Sequence, residues 1–126
     1  MASSVSGTGL IGLADRHNFA VVAPQATKDV FGYPHFDINI GWAEGDPDDG
    51  NFIVDLLRQL QKDRGYSRDK SFVCGMSNGG FMTFNLAVEH SAVFQGFGNV
   101  VGTMAGYDWE NRFTANPINL VSVIGL

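Results

Sequence analysis

A single cysteine, Cys74, serves all 126 residues, so no internal disulfide can staple the chain. The redox compartment is therefore left open. Cys74 lies in an apolar run, where a small buried side chain is expected and not a reactive thiol. Positive charge is scarce as well: eight Lys and Arg against thirteen Asp and Glu leave a net charge of −5. The basic residues form no run, which speaks against a nucleic-acid partner. No apolar stretch approaches the roughly 20 residues that a membrane helix needs, so no membrane partner is expected. Met1-Ala2-Ser3-Ser4 lacks both the basic and the apolar segment of a signal peptide. Repeats and low-complexity tracts are missing too. What remains, 44% hydrophobic and 17% charged residues, fits one globular domain over residues 1–126 and excludes a disordered chain.

The informative stretch is Ser71–Gly80. A short apolar run, Phe72-Val73-Cys74, leads into Gly75-Met76-Ser77-Asn78-Gly79, and a helical pattern follows. Strand, G-x-S-x-G, helix is the context of a nucleophile elbow. There the turn holds a serine at a strained backbone angle with its hydroxyl exposed. Gly75 and Gly79 are expected to be small because strand and helix pass close on either side. The backbone N–H of Asn78 is expected to point at a developing oxyanion. The alternative is that Ser77 does no more than cap a helix.

The remaining chain reads as alternating elements. Residues 3–18 form a weak, glycine-rich helix with Leu10, Leu13 and Ala14 on one face. Phe19-Ala20-Val21-Val22-Ala23 suits a strand buried on both sides, stopped by Pro24. Residues 24–47 have no periodicity and hold Phe31, Tyr33, His35, Phe36 and Trp42, which favours an ordered loop near a pocket. His35 reads more readily as a surface residue than as a catalytic one. Asp46-Pro47-Asp48-Asp49-Gly50 is a turn and helix cap. As a calcium loop it fails, since the later ligands are absent, and no metal is expected. A helix runs from there to about Arg64, with Phe52, Ile53, Leu56, Leu57 and Leu60 on its apolar face and Gly65 as its cap. Asn78–His90 is a second strong helix. His17 and His90 both read as helix-terminal residues. Strands are expected at Asn99–Thr103 and Leu120–Ile124, with residues 105–117 irregular. The fold class is therefore α/β, with a mostly parallel sheet of about four strands and helices on both faces. Ligands in such sheets bind at the carboxyl ends of the strands, where Ser77 falls.

Together, Leu13-Ala14-Asp15-Arg16, Trp42, Asp48-Asp49, Gly75-Met76-Ser77-Asn78-Gly79-Gly80 and Met104-Ala105-Gly106 resemble the polyhydroxybutyrate depolymerase and feruloyl esterase-like family of α/β-hydrolases. The resemblance implies a partial α/β-hydrolase three-layer sandwich and serine ester hydrolysis without a cofactor. Substrates would be polyesters or plant cell-wall esters, and a parent protein of this family would be extracellular. It carries over Ser77 as nucleophile and Asn78 as an oxyanion donor. The family's acid and histidine lie beyond the strand that Leu120–Ile124 resembles, so the chain is expected to be a truncated hydrolase with weak or absent activity. His35 is then the candidate replacement base, and Trp42 and Tyr33 are candidate substrate contacts. A strand missing between those that Phe19–Ala23 and Phe72–Cys74 resemble would leave a gap in the sheet. Two other readings stay open. One is a degenerate hydrolase acting as an interaction module, associating through open sheet edges. The other is a flavodoxin-like domain whose glycines cradle a phosphate, though no dinucleotide or P-loop pattern supports it.

Overall fold

The computed structural model describes residues 5, 7–29, 31–38, 47–111 and 116–125. The chain divides into two compact units, Met1–Pro34 and His35–Leu126.

In the first unit, helix α1 (Leu10–His17) runs between Gly9 and Asn18, both in the left-handed region, and buries Ala14. Phe19–Ala23 follows, and here the expectation fails, for these residues form no strand. An apolar run becomes a strand only where a neighbour takes its backbone groups. Phe19 and Val22 are instead exposed. Beyond them Asp29 ties a turn: its carboxylate Oδ1 accepts the N–H groups of Phe31 and Tyr33, each at 2.8 Å. An isolated antiparallel bridge joins Lys28 to Pro34.

The second unit is a small α/β structure. Helix α2 (Asp49–Arg64) starts at Asp48, whose side chain accepts the N–H of Asn51 at 2.9 Å, and stops at Gly65 with φ 69°. Both ends match the composition, an acidic cap at the positive end of the dipole and a glycine where φ is positive. Strand β1 (Phe72–Met76), helix α3 (Asn78–Glu89) and strand β2 (Gly96–Val100) then form a βαβ unit. Helix α4 (Gly106–Asn111) and strand β3 (Leu120–Val123) complete it. The sheet has the order β1-β2-β3 and is parallel throughout. Among the described residues it has three strands where about four were expected, and Phe19–Ala23 adds none.

Helices of this unit cover one face of the sheet. Helix α3 packs on β1 and β2, and α2 and α4 pack on α3. Met82, Leu86, Phe94, Phe97 and Val54 form the core, with Phe94 and Phe97 in edge-to-face contact. Register explains which side is which. Val73 pairs with Phe97 and faces the core, so Phe72, Cys74, Met76, Val100, Val121 and Val123 project from the other face. The helices expected on both sides are thus on one side only among the described residues of this unit, and Cys74 is exposed where it was expected to be buried. Strand β2 also begins three residues earlier than expected. Phe97 supplies its inward anchor, and Val101 turns away at φ 55°.

Candidate active site

Ser77 stands between the end of β1 and the start of α3, with φ 55° and ψ −119°. A side chain at positive φ in this region is strained by about 1–3 kcal/mol and persists only where its surroundings enforce it. The enforcing contacts are visible. The Ser77 N–H donates to the Val100 carbonyl at 3.0 Å, and the Ser77 carbonyl accepts from Gly80 and Phe81 at 2.8 and 3.0 Å. The chain must therefore reverse from sheet ladder to helix within one residue.

Gly75 makes that reversal possible. A Cβ there would run into the Gly79 carbonyl group. Gly80 is the second close approach, where a Cβ would meet Asn99 Oδ1 and lie 3.1 Å from the Gly102 Cα. Gly79 itself has open space around its Cβ position, so the expectation that its own smallness is needed is corrected in favour of Gly80. Asn99 fills the niche between these glycines. Its Nδ2 donates to the Gly102 carbonyl and the Ser122 hydroxyl, both at 2.9 Å, and its Oδ1 is buried without a hydrogen bond.

The simpler role for Ser77 can be judged directly. Its position is that of an N-cap, but its side chain makes no capping bond. The hydroxyl bonds to no described residue, and Ser77 is exposed. The first two N–H groups of α3, those of Asn78 and Gly79, have no acceptor among the described residues. Ser77 thus presents an unengaged hydroxyl beside unengaged backbone donors.

The Asn78 side chain is occupied in a way the sequence did not signal. Its Oδ1 accepts the Phe36 N–H at 2.8 Å, and its Nδ2 donates to the Phe36 carbonyl at 3.1 Å. One residue on, the Asp37 N–H donates to Asp49 Oδ2 at 2.8 Å. Asp49 is buried at 4% exposure, and that burial raises its carboxyl above the usual range despite the opposing Asp37 hydrogen bond. Of the Asp48-Asp49 pair, then, the first caps α2 and the second holds the segment beside the elbow. No local spacing could have revealed a bond between residues 42 positions apart.

His35 is half-buried on that same segment, near enough to Asp49 to act on its charge. The Ser77 hydroxyl is not hydrogen-bonded to it. His90 ends α3 as expected, its N–H donating to the Leu86 carbonyl at 2.8 Å. Tyr33 is exposed and belongs to the other unit. Trp42 lies outside the described residues, as does Asp46. No cluster of metal-ligating side chains occurs among the described residues, and no helix among them is long and apolar enough to cross a membrane. No family model, curated protein or solved structure matches this chain.

Proposed function

We propose that this chain is of serine carboxylic-ester hydrolase lineage, with Ser77 as the nucleophile and the Asn78 N–H as an oxyanion donor. The observation that carries the reading is the backbone of Ser77, at φ 55° and ψ −119° between a parallel strand and a helix. A helix cap has no need of that strain, and the Ser77 side chain does no capping. In the reaction, Ser77 Oγ adds to an ester carbonyl while its proton passes to a base. The carbonyl oxygen takes the negative charge beside the Asn78 N–H, collapse expels the alcohol as it takes the proton back from the base, and water then attacks the acyl-serine to release the acid and restore Ser77. The substrates suggested by the motif's resemblance are polyesters of hydroxy acids or plant cell-wall esters, with no cofactor. A partial α/β-hydrolase sandwich is the architecture that goes with this reading.

No base is bonded to the Ser77 hydroxyl among the described residues, and in a serine protease the loss of the triad histidine costs on the order of 10⁶ in kcat. Turnover of p-nitrophenyl butyrate by the 126-residue chain is therefore expected at or near background. A fluorophosphonate in excess is expected to label Ser77 slowly, and Ser77→Ala to remove the label. Absence of labelling, or labelling that survives Ser77→Ala, sinks the reading. Ser77-dependent turnover at ordinary esterase rates would instead show a base in place, and loss of that turnover in His35→Ala would identify it.

A second reading, an interaction module that self-associates, is favoured by one observation. The face of the sheet opposite α3 is apolar and exposed. The two readings are compatible, since that face lies on the other side of the sheet from the elbow helix.

A further inference from the structure

The Asn78 side chain is tied, at both of its polar atoms, to the backbone of a residue 42 positions earlier. A side-chain amide carries one donor and one acceptor in the arrangement of a peptide group, so Asn78 pairs with Phe36 as a neighbouring strand residue would. Neither aspartate nor alanine can do this at neutral pH. The pair is reinforced by the two residues that follow Phe36. The next N–H along the segment, that of Asp37, is held by the buried Asp49 at 2.8 Å. The next side chain, Ile38, is in the hydrophobic core, and Phe36 packs against it. Three consecutive residues of an otherwise irregular stretch are therefore fixed, and the first of them, Phe36, is fixed to the residue immediately after Ser77. The same bond orients Asn78, whose backbone N–H has no acceptor among the described residues.

We infer that Asn78 is a positioning residue through its side chain, holding residues 35–38 as a wall beside Ser77 and holding its own backbone N–H at a fixed angle to the serine. The inference rests on the esterase reading and extends it, because the resemblance assigned Asn78 a backbone role alone. Without the side-chain pair, the segment loses two hydrogen bonds and the first turn of α3 loses its only described tertiary anchor at that residue. The oxyanion donor then samples angles that do not serve the reaction, and the reaction at Ser77 slows although no reacting atom has been removed.

The experiment uses the full chain and three proteins: wild type, Asn78→Ala and Asn78→Asp. Thermal melts first establish that each is folded. Exchange of the Phe36 amide, followed by NMR, reads the pairing, and the rate of fluorophosphonate labelling at Ser77 reads its consequence. Asn78→Ala is expected to speed Phe36 exchange at least tenfold and to slow labelling at least tenfold. Asn78→Asp distinguishes positioning from mere folding. Its ionised carboxylate accepts the Phe36 N–H but repels the Phe36 carbonyl, and protonation restores a donor. The labelling rate of Asn78→Asp relative to wild type should therefore climb toward one as pH falls from about 7 to about 4, with Asn78→Ala flat over that range. Unchanged Phe36 exchange in Asn78→Ala overturns the pairing. Faster exchange with unchanged labelling overturns the positioning role, as does a flat pH ratio for Asn78→Asp. Wild type that is never labelled overturns the esterase reading, and the positioning role falls with it, whereas failure of the inference alone leaves wild-type labelling intact.

Discussion

Strain at Ser77 is affordable only because its neighbours are glycines at two particular places. At Gly75 the obstruction is the Gly79 carbonyl, a backbone atom of the helix that cannot swing aside. Gly75→Ala is expected to cost at least 3 kcal/mol, about the upper range for overpacking, and to leave little folded protein. At Gly79 there is nothing within 4 Å of the Cβ position, and φ is not positive. Gly79→Ala should therefore be neutral or stabilising by up to about 1 kcal/mol, since alanine is the better helix former. Denaturant melts of the two variants decide it, and equal destabilisation by both would show that the approach of strand and helix is not what constrains this turn. This asymmetry also marks how far residue-level reading reaches. The motif points to Ser77 and Gly75 because their reasons are local to a strand–turn–helix. Gly80 owes its smallness to Asn99 and Gly102 on the next strand and its following loop, and the Asn78 side chain to Phe36. Those partners are set by tertiary packing, which no spacing within the motif encodes.

At the level of elements, the two ends of α2 were legible. Its Asp48 cap and its Gly65 stop are local signals used as expected, but its face is shifted: Ile53 and Leu57 pack on the core as expected, Phe52 is exposed, and Val54 and Gln61, the latter expected outside, are buried. The failures lie where an element depends on a neighbour. Phe19–Ala23 has the composition of a buried strand but, among the described residues, no strand beside it. Residues 105–117 read as irregular, yet α4 forms there because Ala105 is buried in the core and Asp108 is drawn fully inside, at 0% exposure. Asp108 Oδ1 accepts Asn85 Nδ2 at 3.1 Å, while its Oδ2 is buried without a partner. Burial is the main cause that raises its pKa from 3.8 to about 6, against the Asn85 hydrogen bond that lowers it. A raised carboxyl pKa means that the folded state binds the proton more tightly than the unfolded one. Below 3.8 both states are protonated and folding carries no penalty. Between 3.8 and about 6 the unfolded chain loses the proton first, so Asp108 makes stability fall as pH rises. Above about 6 both are ionised and the loss levels off at ~3 kcal/mol. Asp48 acts in the opposite sense, its pKa being lowered by its Asn51 hydrogen bonds, so the contribution of Asp108 is read as a difference. The stability of Asp108→Asn minus that of wild type should grow between pH 4 and pH 6.5, and a difference that stays flat would mean the carboxyl is not buried as an acid.

At the scale of the molecule, the described helices of the second unit cover one face of its sheet, and the described side chains of the other face are exposed. The open side carries Phe72 at 71% exposure, Met76 at 66%, Val121 at 70% and Val123 at 55%, with Gly96 and Gly98 flattening its middle. Phe72 lies over Gly96, where a Cβ would come within 3.0 Å of its ring. The result is a continuous apolar surface and not a scatter of single side chains. Monomers seldom leave such surfaces in water beyond a few hundred Å². In addition, β1 and β3 each keep one edge with no described strand beside it. A flat apolar face with two open edges is self-complementary in the way a two-fold interface requires, since the same patch can meet itself. The mass in solution is therefore expected to rise with concentration toward that of a dimer in sedimentation velocity. Val121→Lys places a charge on the open face midway along its edge strand β3, whose residues are all exposed, so it should leave the fold intact and hold the mass at that of the monomer. A wild-type mass that stays monomeric and soluble across the whole concentration range rules out self-association through this face. A dimer that is indifferent to Val121→Lys and Met76→Glu would place the contact elsewhere.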